Sequence, residues 1–87
     1  MYVIVVYDVG VERVSKICSF LRCFLSWVQN SVFEGDLTES QLLRVKEGIK
    51  EIIDKNSDSV RIYTMRSKDV FKMEILGIER ASTEPFI

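Results

Sequence analysis

The chain opens on an unbroken run of apolar residues from Tyr2 to Tyr7. Runs of β-branched and aromatic residues are typical of strands that are covered on both faces. The run ends at Asp8, which Val9 and Gly10 follow. The pattern therefore predicts a central β-strand that carries a carboxylate at its carboxyl end.

Apolar residues then recur at helical spacing from Glu12 to about Val28. This spacing predicts one amphipathic helix with a single apolar stripe. Phe20 and Trp27 lie at the edge of the stripe on a helical wheel, so they extend the apolar face towards a neighbouring element or subunit. The stripe itself consists of Val14, Ile17, Cys18, Leu21, Phe24, Leu25 and Val28.

Residues 29–37 alternate short apolar and polar stretches around Glu34-Gly35-Asp36, which predicts one or two short strands with a glycine turn or bulge. Thr38 and Gln41 have the spacing of a capping box, so a second helix is expected to start there. We expect this helix to end near Asn56. Its apolar stripe is Leu42, Val45, Ile49, Ile52 and Ile53.

Period-two alternation predicts two further strands, over residues 59–65 and 71–78. The resulting order indicates an α+β fold, a ferredoxin-like βαββαβ sheet with both helices on one face and an extra C-terminal strand. Residues 1–78 would form one domain and residues 79–87 a C-terminal tail. Because the first strand is apolar on both sides, we expect a homodimer in which a second copy covers the open face, with the last strand a candidate to join the partner's sheet.

Composition removes several kinds of chemistry. The 87 residues include no histidine, which excludes Ser-His-Asp and Cys-His catalysis and leaves zinc and iron–sulfur sites short of ligands. Any bound metal is therefore expected to be a hard, oxygen-ligated cation, Mg²⁺ first and Mn²⁺ next. Cys18 and Cys23 point in different directions on a helix and cannot bridge each other, so we predict buried, reduced thiols.

Charge and hydropathy bear on partners and location. The net charge of −1 argues against indiscriminate nucleic-acid binding. Basic residues nevertheless outnumber acidic ones in residues 59–78, which leaves room for a local basic face. The sequence shows neither a signal-peptide pattern nor an apolar run long enough to cross a bilayer. We therefore expect a cytoplasmic protein without a membrane partner.

Three segments together resemble a known family: Tyr7-Asp8-Val9 closing the first strand, the segment Gln29-Asn30-Ser31-Val32-Phe33-Glu34-Gly35, and Asp58-Ser59-Val60-Arg61-Ile62-Tyr63. From Met1 to about Ile78 the chain is similar to the CRISPR-associated Cas-two family, small proteins of spacer acquisition. The resemblance implies a ferredoxin-like homodimer, metal-dependent endonuclease activity on RNA or duplex DNA in some members, and a scaffold role beside the Cas-one integrase.

The resemblance also implies roles for individual residues. Asp8 matches the family's metal-associated aspartate and is the candidate catalytic and metal-binding residue. Trp27 departs from the family pattern, because some members carry a basic residue at this position. The candidate nucleic-acid contacts are Tyr7, Arg13, Ser31 and Phe33.

One carboxylate alone binds Mg²⁺ poorly, but a two-fold axis near the strand end would bring together Asp8 from two subunits. Metal-activated water could then hydrolyse a phosphodiester bond without histidine. Asp8 could instead cap the first helix or close a turn with Gly10. Tyr7 and Phe33 could likewise be packing residues.

Two other functions remain open at this point. In the first, the dimer is a non-catalytic scaffold that bridges integrase subunits and binds duplex DNA through its backbone. In the second, it is a regulatory dimer that binds a small metabolite, because a ferredoxin-like fold does not determine function. The leading hypothesis is a dimeric nucleic-acid-binding component of CRISPR adaptation, with Mg²⁺-dependent endonuclease activity at paired Asp8 residues as its candidate chemistry.

Overall fold

The structure is a computed structural model that describes residues 1–67 and 70–79. Five strands form one antiparallel sheet in the order β2-β3-β1-β4-β5. The predicted α+β fold, a βαββαβ sheet with an extra C-terminal strand, is confirmed. The elements are β1 (Tyr2–Asp8), α1 (Val11–Leu21), β2 (Ser26–Gln29), β3 (Val32–Asp36), α2 (Glu39–Ile52), β4 (Ser59–Ser67) and β5 (Val70–Gly77).

The central strand, β1, has two unlike faces. Val3, Val5 and Tyr7 are buried in a core shared with both helices. Ile4 and Val6 alternate with them and are half-buried on the opposite side of the sheet, which we call the second face. The helices therefore cover one face of the sheet, as predicted. The core residues outside β1 are Ile17, Leu21, Leu25, Phe33, Leu37, Leu42, Val45, Ile49, Val60, Ile62 and Leu76.

The first helix is shorter than its periodicity predicts, because α1 ends at Leu21 and not near Val28. The amides of Phe24 and Leu25 both donate to the carbonyl of Leu21, at 3.0 and 2.8 Å, and close a turn. The side chains of Phe24 and Leu25 still pack on the core. Their contacts extend the helical pattern beyond the helix, whereas Trp27 belongs to β2.

The β2–β3 hairpin turns at Asn30, whose φ of 44° lies in the left-handed region that Asn tolerates. The predicted turn or bulge around Glu34-Gly35-Asp36 is wrong, since this segment belongs to β3; the ladder is irregular between Trp27 and Gln29 instead. A Cβ on Gly35 would lie 3.2 Å from a methyl of Leu25, so close packing favours glycine in the strand.

The cysteines are both free, but only Cys18 is partly buried, whereas Cys23 is exposed. The prediction of two buried thiols is therefore wrong for Cys23. Cys23 does not belong to the apolar stripe, and it lies in the turn that follows α1.

The capping box is confirmed: Thr38 Oγ1 accepts from the amide of Gln41 at 3.1 Å, and Gln41 Oε1 accepts from the amide of Thr38 at 2.9 Å. The helix α2 ends at Ile52, earlier than predicted. The extra strand, β5, pairs with β4 of the same chain and is the edge strand of the sheet, so its pairing with a partner's sheet stays a prediction. Of the predicted tail, residues 80–87 lie outside the described residues.

The two helices of the described chain are both too short to cross a membrane.

Candidate metal site at the carboxyl end of β1

Asp8 is the last residue of β1 and is exposed. It lies opposite Ser59, the first residue of β4, in the last pair of the β1–β4 ladder. Since alternate residues of β1 face the helices, the side chain of Asp8 belongs to the second face. The antiparallel ladder thus fixes the backbone of Asp8 at the carboxyl end of the central strand.

Two residues, Val9 and Gly10, separate Asp8 from the first residue of α1. The N-cap of α1 is Gly10, and in the described part of the chain no side chain caps the helix from that position. The amide of Gly10 instead donates to Asp58 Oδ1 at 2.9 Å. A residue from the distant start of β4 therefore holds the loop that follows Asp8.

Asp58 was not among the residues singled out from the sequence for a role of its own. Its side chain is 1% exposed, and its two oxygens accept four hydrogen bonds. Oδ1 accepts from Gly10 N at 2.9 Å and Arg13 Nη2 at 3.0 Å, and Oδ2 accepts from Arg13 Nε and Asp54 N at 2.5 and 2.9 Å. The sequence signals were its place directly before a buried strand and at the start of the third segment of the family resemblance, and neither reveals its partners.

Arg13 was predicted to contact nucleic acid. In the structure its Nε and Nη2 donate to Asp58, and its Nη1 donates to Glu12 at 3.0 Å. The guanidinium holds the pKa of Asp58 well below its usual range, and Asp58 in turn raises the pKa of Arg13. Much of the charge of Arg13 is therefore compensated within the chain, and its contact with nucleic acid stays a prediction.

Tyr7 and Phe33 were also predicted as nucleic-acid contacts. Tyr7 is 4% exposed and Phe33 is completely buried, and their rings stack with centroids 6.3 Å apart. The Tyr7 hydroxyl lies 2.7 Å from Cys18 Sγ; burial and this hydrogen bond raise the pKa of Tyr7 to about 12. In this conformation both rings fill the core, which favours the packing alternative over base stacking.

Ser31 lies in the β2–β3 hairpin and is half-buried. Its carbonyl accepts from the amide of Tyr7 at 3.1 Å, which brings the hairpin beside the end of β1. Trp27 is 54% exposed on the edge strand β2, and its indole Nε1 donates to the carbonyl of Asn30 at 3.0 Å. The predicted residues therefore share one end of the sheet, and Asp8 is the one among them that carries a carboxylate, which is exposed.

The family resemblance implies Mg²⁺, which needs oxygen ligands. Among residues 1–67 and 70–79, no three Asp, Glu or Cys side chains come together as a metal site. Mg²⁺ commonly takes one or two protein carboxylates and keeps several waters. One exposed Asp8 per chain suits such a cation when a second chain supplies a second carboxylate.

The basic residues of 59–78 do not form one exposed patch in the described chain. Arg66 pairs with Glu39 at 2.9 Å, whereas Arg61 is 9% exposed. Arg61 lies opposite Val6 in the ladder, so it belongs to the second face. Within the described residues its buried Nη2 has no hydrogen-bond partner.

Comparison with known proteins finds a matching family model and relatives of similar sequence. A family model described as CRISPR associated protein Cas2 matches residues 1–73. The chain is 59% identical to a CRISPR-associated endoribonuclease Cas2 of Pyrococcus furiosus and 49% identical to that of Methanosarcina acetivorans, in each case over 100% of both chains.

Two solved structures have a similar fold. A crystal structure of Cas2 superposes with a TM-score of 0.74 at 42% identity and covers 100% of this chain and 98% of its own. The structure of Streptococcus pyogenes Cas2 at pH 6.5 gives a TM-score of 0.70 at 33% identity, over 79% of this chain and 89% of its own. Both solved structures therefore resemble this chain in sequence as well as in fold.

Proposed function

This chain belongs to the CRISPR-associated Cas2 family, and on that premise we propose that it is a metal-dependent endoribonuclease of CRISPR adaptation that acts as a homodimer. The observation that carries the proposal is Asp8, an exposed carboxylate held by a sheet ladder at a strand end. RNA is the favoured substrate because the similar proteins are named endoribonucleases.

The second face supports a dimer. It carries exposed Tyr2, Met65 and Met73 beside half-buried Ile4 and Val6, and clustered exposed apolar side chains are typical of an interaction surface. The unpaired Nη2 of Arg61 on the same face needs an acceptor, because a buried polar atom without one is costly. A second copy would cover the patch and could supply that acceptor.

A two-fold packing of second faces also accounts for the single carboxylate per chain. An isologous interface places the same residue of both copies at equal distances from the axis. Asp8 lies on the second face at the end of β1, so an axis near that end would bring the two carboxylates together. The dimer would then provide the donor set that one chain lacks.

In the reaction, Asp8 would hold the cation and the β1–β4 ladder would keep its carboxylate in place. When bound, Mg²⁺ or Mn²⁺ supplies a water of lowered pKa and offsets charge on the scissile phosphate. The chain has no histidine for proton transfer. Proton movement would therefore rely on solvent and on the substrate.

One observation favours a second candidate function. With no three-ligand cluster among the described residues, the dimer could act as a non-catalytic scaffold that holds duplex DNA beside the Cas-one integrase. In that role nucleic acid would be bound through its phosphates, without cleavage. The two candidates differ in what Asp8 has to do.

The test is cleavage of labelled single-stranded RNA and duplex DNA by dimeric wild type, Asp8→Ala and Asp36→Ala, with Mg²⁺, Mn²⁺ or EDTA. Asp36 is the matched control, an exposed acid at the opposite end of the β1–β3 ladder. We expect metal-dependent RNA cleavage that Asp8→Ala reduces by about two orders of magnitude or more, the scale of lost electrostatic stabilisation, and that Asp36→Ala retains.

Three results would contradict the proposal. Cleavage that is equal in wild type and Asp8→Ala would remove the active site from Asp8. A monomer in sizing experiments would remove the paired carboxylates. Duplex binding without any cleavage would favour the scaffold.

A further inference from the structure

Asp58 is connected to the segment that carries Asp8 in two ways. The first connection is through its neighbour in sequence, Ser59, which pairs with Asp8 across the β1–β4 ladder. The second is the hydrogen bond from Gly10 N to Asp58 Oδ1, two residues after Asp8. The backbone of Asp8 is thus held on one side by β4 and on the other by a loop that Asp58 fixes.

Asp58 is itself held firmly. Its amide donates to the carbonyl of Asp54 at 2.8 Å, and its carbonyl accepts from Ile78 N at 2.9 Å. Gly77, with φ of 92°, passes so close that an added Cβ would lie 2.0 Å from the Asp58 carbonyl oxygen. Residue 58 therefore joins the loop after β1, the first turn of α1, the turn before β4 and the end of β5.

This arrangement exceeds what an ion pair with Arg13 requires. A carboxylate paired with arginine needs only the guanidinium, whereas Asp58 also accepts from two backbone amides, those of Gly10 and Asp54. The Gly10 amide starts α1, where an acidic group is favourable because of the helix dipole. Asp58 thereby supplies the beginning of α1 with a capping acceptor from a remote part of the chain.

We propose that Asp58 is a positioning residue for metal binding by Asp8: it does not touch the cation but fixes the Asp8–Gly10 segment through the Gly10 amide. The inference rests on the proposed function, since it requires Asp8 to bind the metal. Some groups do not touch a metal ion but hold one of its ligating side chains in place. Their removal typically lowers metal affinity by about 10- to 100-fold.

The test measures Mn²⁺ binding directly, by electron paramagnetic resonance of free Mn²⁺, without nucleic acid and without cleavage. The proteins are dimeric wild type, Asp8→Ala, Asp58→Ala, Asp58→Asn, Arg13→Lys and the control Glu74→Gln. Glu74 pairs with Lys46 at 2.7 Å, away from Asp8. Urea unfolding of each variant sets conditions under which all of the protein measured is folded.

We expect Asp58→Ala to raise the dissociation constant for Mn²⁺ by about tenfold or more. Asp58→Asn should raise it less, because the amide oxygen can still accept from Gly10 N. Arg13→Lys leaves the Gly10–Asp58 bond in place, so it should lower stability but change the Mn²⁺ constant by less than about threefold, within the usual scatter of such contributions. Glu74→Gln should leave the constant unchanged.

The outcomes separate this inference from the proposed function. Wild-type binding that Asp8→Ala does not weaken would overturn the proposed function and this inference with it. If Mn²⁺ binding depends on Asp8 but is as tight in Asp58→Ala and Asp58→Asn as in wild type, the inference alone is overturned. Equal weakening in Asp58→Asn and Arg13→Lys would reduce Asp58 to a structural ion pair. If Asp58→Ala does not fold, the comparison of Asp58→Asn with Arg13→Lys decides.

Discussion

An arginine pairs with an acid beside each end of β1, but the two pairs have different surroundings. At the carboxyl end, the partly buried Arg13, whose side chain is 22% exposed, pairs with the buried Asp58, which accepts two further backbone hydrogen bonds. At the amino end, Arg66 meets Glu39 at 2.9 Å with both side chains about half exposed or more. Near it, the amino group of Met1 donates to the Leu37 carbonyl at 3.0 Å.

The two ion pairs differ in their exposure to solvent. An exposed pair competes with water and salt, so it contributes little, whereas a buried carboxylate that loses its partner leaves an uncompensated charge. Both pairs join residues that are far apart in the chain, 45 positions for Arg13 and Asp58 and 27 for Arg66 and Glu39, so burial is what distinguishes them. The end of β1 that carries Asp8 is therefore expected to be the rigid one, and the amino end the tolerant one.

The largest expected effect is from Asp58→Ala, which leaves Arg13 partly buried without its main acceptor and Gly10 N without its acceptor. We expect the free energy of unfolding at pH 7 to fall by about 3–5 kcal/mol, as for other broken buried pairs. Urea denaturation at fixed protein concentration measures it. A loss below about 1 kcal/mol would mean that the two ends of β1 do not differ.

The same pair predicts a dependence on pH. Arg13 holds the pKa of Asp58 well below its usual range, so the folded protein keeps this carboxylate charged where the unfolded chain takes up a proton near pH 4. The stability from the pair is complete above that pH and is lost as the pH falls through the folded pKa. The gap between wild type and Asp58→Ala should thus narrow below about pH 4. A gap that widens there would contradict the ion pair.

The contrast also marks what the sequence could predict. The capping box at Thr38 and Gln41 lies within four residues, so its geometry is local and was predicted correctly. The unbroken apolar run of β1 predicted the strand itself, but it did not show that alternate residues are buried under the helices. Asp58 and Arg13 meet only after the sheet has formed, and periodicity contains no information about that contact.

The predictions that failed also depended on tertiary contacts that periodicity does not describe. The pattern of α1 continued through Phe24 and Leu25 because these residues pack on the core from a turn, so periodicity alone could not find the helix end. The candidate Asp8 could be chosen from its place at a strand end and from the family resemblance. The burial of Tyr7 and Phe33 depends on which face of the strand the helices cover, which a strand covered on both sides does not specify.

A middle-sized effect is expected at the local cap. Thr38→Ala removes the acceptor for Gln41 N and should lower the free energy of unfolding by about 1 kcal/mol, as at other N-caps. Ser15→Ala, at an exposed position inside α1, is the matched control and should not destabilise. Urea denaturation of the two variants in parallel measures the difference, and an equal response would contradict the role of Thr38.

The smallest effect is expected at the exposed pair of the amino end. A double-mutant cycle with Glu39→Gln and Arg66→Gln separates their mutual interaction from the favourable position of Glu39 in the first turn of α2. We expect a coupling of about 0.5 kcal/mol or less, which 0.5 M salt should reduce further, since a salt concentration of that order screens exposed charges within a few ångströms. The equivalent cycle with Arg13→Gln and Asp58→Asn should give a larger coupling that salt changes little. Equal couplings, or equal responses to salt, would show that burial does not distinguish the two ends of β1.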